Sequence, residues 1–181
     1  MRSDPHFSGL RTDRLVIRRF GPEDAAAFAA YRSDPDIARY QDWDSFTRQL
    51  ADDFVREMEG THPGVAGEWF QFAVADPAND ELLGDVGLGV DADDTSRAEL
   101  GFTFAAAHHG KGYATEAVGR VIAYAFEQLG AEAVFAVADA RNDASIALLE
   151  RIGMRRTTTE HVKFKGEWCD ERTYELRRDD G

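Results

Sequence analysis

The stretch from Leu100 to Val137 leaves this chain few ways to fold. An alternating run, Leu100-Gly101-Phe102-Thr103-Phe104-Ala105, leads into His109-Gly110-Lys111-Gly112-Tyr113-Ala114-Thr115-Glu116-Ala117. Apolar residues then recur at helical spacing, at Ala117, Val118, Val121, Ile122, Ala125, Phe126 and Leu129. Gly130 reads as a C-cap, and Ala133-Val134-Phe135-Ala136-Val137 is the continuous apolar run of a central strand parallel to its neighbour. The unit is therefore strand, glycine turn, helix, strand. Two glycines around one lysine let the backbone turn tightly, with its N–H groups outward at the positive end of a helix, which is a cradle for phosphate oxygens. The turn does not fit G-x-x-x-x-G-K-[ST], because Gly112 and Tyr113 follow Lys111, and it lacks the third glycine of G-x-G-x-x-G.

The remaining segments build around that unit. Residues 1–9 read as a loose lead-in, and Arg14 to Phe20 as a first strand. Pro22-Glu23-Asp24 opens a helix that stops near Asp34-Pro35, and a second helix begins after Asp44 or Ser45 with Phe46, Leu50, Phe54 and Met58 along one face. Tyr40 and Trp43 lie between the helices, as local core or as acceptor contacts. Strands are expected over 70–75, 82–90 and 98–105, then a short helix from Ile146 to Ile152, and a final pair of strands turning at Lys165-Gly166. This order predicts one α/β domain over residues 1–181, with a mixed sheet of about seven strands flanked by about four helices.

With 21 basic and 34 acidic residues the net charge is −13, and lysine occurs only at 111, 163 and 165. So acidic a chain is a poor nucleic-acid binder, and any phosphate site in it must depend on local donors. No apolar run approaches the roughly 20 residues of a membrane span. The single cysteine, Cys169, alternates with Glu171, Thr173 and Glu175, and a lone thiol fits a reducing, cytoplasmic setting.

One face of two central strands is unusual. Val86, Leu88 and Val90 oppose Asp85, Gly87 and Gly89, while Leu100, Phe102 and Phe104 oppose Glu99, Gly101 and Thr103. The small-residue face is either a groove or a place where backbones crowd. Asp85 and Glu99 point to it and are the candidate bases, acting directly or through water.

About thirty residues beyond the glycine turn come Asn142-Asp143-Ala144-Ser145 and Arg151-Ile152-Gly153-Met154. Together with Leu10 to Arg18, Pro22-Glu23-Asp24, Leu83 to Leu88 and Glu99 to Phe102, these segments make the chain resemble the GNAT superfamily of acyl-CoA N-acyltransferases. The likeness is to the branch that includes the ribosomal-protein N-terminal alanine acetyltransferases.

The resemblance implies that main-chain N–H groups of a Q/R-x-x-G-x-G/A turn, here His109 to Ala114 with histidine at its first position, hold the CoA pyrophosphate. His109, Gly110, Lys111, Gly112, Ala114 and Thr115 are then cofactor contacts. It also implies that the strand ending near Phe104 splays from the strand containing Val134, with pantetheine bonding to the backbone of Phe102 and Phe104. Many relatives carry a tyrosine seven residues after the asparagine to protonate the leaving thiolate; here that residue is Leu149, and Ser145 takes the role. Asn142 orients pantetheine, and either Asn142 or Asp143 caps the helix.

The expected activity is transfer of an acetyl group from acetyl-CoA to an amine, by direct attack and without a metal. The acceptor is a protein N-terminus or a small amine, with Tyr40, Trp43 and Asp85 on its side. The rival readings are a non-catalytic acyl-CoA sensor and a nucleotide site. Family members often dimerise, though the sequence carries no interface signature.

Overall fold

The computed structural model describes residues 1–180. Eight strands form one sheet in the order β1-β2-β3-β4-β5-β6-β8-β7. They are β1 (Leu10–Arg11), β2 (Val16–Arg18), β3 (Trp69–Ala75), β4 (Leu82–Val90), β5 (Arg97–Phe104), β6 (Ala133–Asp139), β7 (Arg155–Phe164) and β8 (Glu167–Arg177). The helices are α1 (Ala25–Arg32), the single turn α2 (Pro35–Ala38), α3 (Arg48–Glu59), α4 (Tyr113–Tyr124, running on as a wider turn to Leu129) and α5 (Asp143–Arg151). All neighbours pair antiparallel except β5 and β6. The expected mixed sheet is present, with one strand more than predicted because the first expected strand is a short hairpin.

The alternation in β4 and β5 decides where the core lies. Val86, Leu88, Leu100 and Phe104 pack with Phe70, Phe72 and the Val118, Val121 and Ile122 face of α4. On the other face of the sheet, Phe20, Phe28, Tyr31, Ala51 and Val55 bring α1 and α3 over Ala73 and Leu82. That second layer covers the β2–β4 side only. Beyond it, Trp69, Glu99, Gly101, Phe135 and Val137 remain partly or fully exposed.

Three sequence expectations shift. The lead-in is docked, with Phe7 buried against Phe70, Phe72 and Tyr124, and with the Tyr124 hydroxyl donating to Asp4. Helix α3 starts at Arg48 because the Thr47 hydroxyl accepts from the Leu50 N–H, so Phe46 lies outside it; its buried stripe runs through Ala51, Val55 and Met58, which leaves Leu50 exposed. The glycine face is in part covered by side chains of β3 and is not an open groove throughout: a Cβ at Gly89 would lie 2.5 Å from the Trp69 indole, and one at Gly87 2.7 Å from the Gln71 carboxamide.

Candidate active site

Strands β5 and β6 pair in parallel for three residues only, Arg97 to Glu99 against Ala133 to Phe135. Beyond Glu99 they part. The Ala105 N–H donates to the Leu83 carbonyl, so the alternation of the antiparallel ladder turns the peptide groups of Leu100, Phe102 and Phe104 away from β4, toward the gap. A cavity of about 90 Å³ fills that gap, lined on β5 by Leu100, Gly101 and Phe102 and on β6 by Ala136 to Asp139. Val137, expected to be buried in a central strand, is 43% exposed, on the face of the sheet that the α1–α3 layer does not reach.

The floor of the gap is the start of α5. The Asn142 side chain accepts from the Ser145 N–H at 3.2 Å, so Asn142 is the cap and the helix begins at Asp143, three residues earlier than expected. Both Asn142 and Ser145 line the cavity. Leu149 is buried there and has no proton to give. Tyr40 and Gln41 close the outer side, and the Tyr40 hydroxyl donates to the Arg141 carbonyl at 3.3 Å. The tip of the β7–β8 hairpin braces the same segment, since Lys165 Nζ donates to the carbonyls of Ala38 (2.9 Å) and Trp43 (2.5 Å).

Glu99, at the fork, is half-buried. Burial first, and then the neighbouring Glu171 carboxylate, raise its pKa above the ordinary glutamate value. That is the shift a base needs to work nearer neutral pH.

At the far end of β5 lies the glycine turn. Gly110 and Gly112 have φ of +73° and +80°, the left-handed region that glycine occupies without strain, and Gly112 caps α4. A Cβ at Gly110 would meet nothing within 4 Å, so the turn faces open space. Its N–H groups sit at the positive end of a twelve-residue helix, as a phosphate cradle requires. The side chain of Lys111 is exposed, and Arg151 Nη1 donates to the Thr115 hydroxyl at 3.3 Å. His109 stays exposed, but its Nε2–H donates to the Phe104 carbonyl at 2.7 Å, tying the turn to the end of β5. Ala114 packs partly against the core.

Two expected acceptor residues lie elsewhere. Asp85 has no exposed surface: its carboxylate accepts from the Tyr31 hydroxyl, the Gln71 amide and Arg32 Nη2 (3.0 Å). Alternation placed it correctly on the glycine face, but α1 covers it, so it is neither a groove residue nor a free base. Burial, and then Asp85, hold the Tyr31 hydroxyl well above the ordinary tyrosine pKa. Trp43 is half-buried and held locally: its indole N–H donates to the Arg32 carbonyl (2.9 Å) and its ring lies 4.2 Å from the Arg32 guanidinium carbon. Gln41, Val137 and Asp139 line the gap without having been singled out from the sequence. For Val137 and Asp139 the usable signal was their place just beyond the expected splay; Gln41 offered none.

These features define an acyltransferase fold with a forked sheet beside a phosphate turn. A family model for the acetyltransferase (GNAT) domain matches residues 14–155, and the chain belongs to that family. An uncharacterized N-acetyltransferase, p20 of Bacillus licheniformis, is 30% identical over 164 residues, covering 89% of this chain and 91% of its own. A GNAT-family acetyltransferase from Bacillus anthracis superposes with a TM-score of 0.84 at 26% identity, over 94% of this chain and 99% of its own. The ribosomal-protein-S5-alanine acetyltransferase of Vibrio fischeri shares the fold, with a TM-score of 0.82 at 19% identity over 96% and 98% of the two chains. The chain is thus a GNAT-type N-acetyltransferase.

Proposed function

We propose that this enzyme moves the acetyl group of acetyl-CoA to a primary amine, a protein N-terminus or a small-molecule amine, by direct attack within a ternary complex. The parting of β5 from β6 beyond Glu99 carries the reading. It leaves peptide groups of β5 unpaired along a cavity that runs beside Asn142 and Ser145, and an amide-bearing arm lying there as an extra strand satisfies them. The residues present fit the donor. The outward N–H groups of Gly110 to Ala114 hold the pyrophosphate, and Phe102, Asn142 and Ser145 hold the arm. The donor supplies the activated carbonyl, and the chain does the rest.

Glu99 accepts the proton of the incoming ammonium, directly or through one water. Its raised pKa supports that role, and the three hydrogen bonds that the buried Asp85 carboxylate accepts favour Glu99 over it. A β5 peptide N–H facing the gap stabilises the developing oxyanion. The Ser145 hydroxyl protonates the departing thiolate, the role Leu149 cannot fill. Cys169 is a poor nucleophile: it is buried, and desolvation first, then Asp139, push its thiol upward. Tyr40, whose hydroxyl borders the cavity, contacts the acceptor.

The test is an amine panel (N-terminal peptides, polyamines, amino acids) offered with acetyl-CoA while free thiol is followed. Acceptor-dependent thiol release is expected. Tight CoA binding with no release against any amine would overturn the catalytic reading in favour of a sensor.

A further inference from the structure

The glycine turn does not stand alone. Arg14, in the turn between β1 and β2, reaches it from the far end of the sequence. Its Nη1 donates to the Lys111 carbonyl at 2.9 Å, and its guanidinium carbon lies 4.9 Å from the centre of the Tyr113 ring. A Cβ at Gly112 would lie 3.3 Å from Arg14 Nη2, so glycine is also what lets the guanidinium come this close. Glu116, in the first turn of α4, holds the arginine from behind: its carboxylate takes Arg14 Nε at 2.7 Å, Nη2 at 2.6 Å and the Arg14 N–H at 3.1 Å. The same carboxylate accepts the Thr12 hydroxyl at 2.5 Å, and that hydroxyl accepts from the Leu15 N–H at 3.0 Å.

The geometry points to Arg14 as a positioning residue for the diphosphate of the acyl donor: anchored by Glu116, it fixes the Lys111–Gly112 peptide so that the Gly112 N–H faces the ligand. The inference rests on the donor site described above. A trans peptide is planar, with the carbonyl of one residue and the N–H of the next pointing in opposite directions. Holding the Lys111 oxygen on the protein side therefore turns the Gly112 N–H to the open side. Without that bond the glycine-flanked peptide is free to flip, and a flipped peptide presents a carbonyl oxygen to an anion.

Glu116 presents the opposite problem, an acid in the first turn of a helix that must receive phosphate. Burial works against its ionisation, yet the hydrogen bonds from Thr12 and Arg14 hold its pKa below the ordinary glutamate value. The arginine neutralises that charge where it matters, in a chain whose overall field repels an anion. A plain surface ion pair between the β1–β2 turn and α4 would need no contact with the Lys111 carbonyl.

The test compares CoA with pantetheine, which lacks both phosphoryl groups of the diphosphate and the 3′-phosphorylated adenosine, by calorimetry and competition on the full chain. Arg14→Met is expected to weaken CoA about tenfold or more, leave pantetheine unchanged, and leave the melting temperature of the free protein within a few degrees. Arg14→Lys recovers only part of the loss, because an ammonium lacks the guanidinium fork. Glu116→Gln weakens CoA in the same direction, and the double variant is no worse than Arg14→Met alone. Equal losses for both ligands, or unchanged CoA affinity, would overturn the proposal. Wild-type protein that binds pantetheine as tightly as CoA would remove the diphosphate site, and the inference with it.

Discussion

Arg32 and Asp85 form an ion pair withdrawn from water, with Nη2 and Oδ2 3.0 Å apart and the carboxylate wholly buried. Aromatic rings surround the guanidinium, with Phe28 and Trp43 within 4.4 Å and 4.2 Å of its carbon. The pair welds α1 to the middle of β4. Asp85→Leu leaves an uncompensated buried cation and should destabilise by about 3–5 kcal/mol. Arg32→Met combined with Asp85→Leu should recover much of that loss. Urea unfolding of the single and double variants measures both.

As the proposed base, Glu99 should make activity and stability respond to pH in opposite senses. Its raised pKa means that turnover climbs with pH as the carboxyl ionises, with the midpoint above the usual glutamate value. Glu99→Gln should lower kcat by about 10²–10⁴-fold and abolish that limb. Glu171→Gln removes a like charge and should move the limb to lower pH. For folding, the native state binds this proton more tightly than the unfolded chain. Its contribution is therefore full below the unfolded pKa and is lost as pH rises through the folded one. Glu99→Gln should then be neutral to slightly stabilising at pH 7, as read by thermal melts beside a pH–rate profile.

The cap and the proton donor on α5 separate by substitution. Ser145→Ala should lower kcat by about tenfold or more while acetyl-CoA affinity changes little. Asn142→Ala removes the acceptor for the Ser145 N–H and should cost about 1 kcal/mol of stability. Single-turnover rates and denaturation together distinguish the two roles, and unchanged turnover in Ser145→Ala would end its assignment.

The two turn glycines should tolerate alanine differently. Both sit at positive φ, so each substitution carries backbone strain of about 1–2 kcal/mol. At Gly110 there is open space for the methyl group, whereas at Gly112 it meets Arg14. Gly112→Ala should therefore weaken CoA binding more than Gly110→Ala, a difference calorimetry can read.

The unit from β5 to β6 was legible in the sequence because its signals are local: a period of two, a glycine turn, a helical period, then an apolar run. Asn142 and Ser145 were legible only through family likeness, since the local pattern fits a plain capped helix equally well. Asp85 shows the limit of alternation, which tells which face a side chain takes but not which helix will lie over it. The Leu50 spacing misled because the buried stripe of α3 runs through Ala51, Val55 and Met58, one position round from the line of Phe46, Leu50 and Phe54. Arg14 and Glu116 are 102 residues apart, and nothing in either neighbourhood announces that they meet.

The fork in the sheet gives the protein a debt that its donor settles. A ligand lying along β5 completes a ladder the chain leaves unfinished, so each tenfold rise in donor concentration above its dissociation constant adds about 1.4 kcal/mol to the folded state. If the proposed pose holds, persistence of the enzyme should follow acyl-donor supply: with that metabolite scarce, the catalyst that consumes it should also be easier to unfold and degrade.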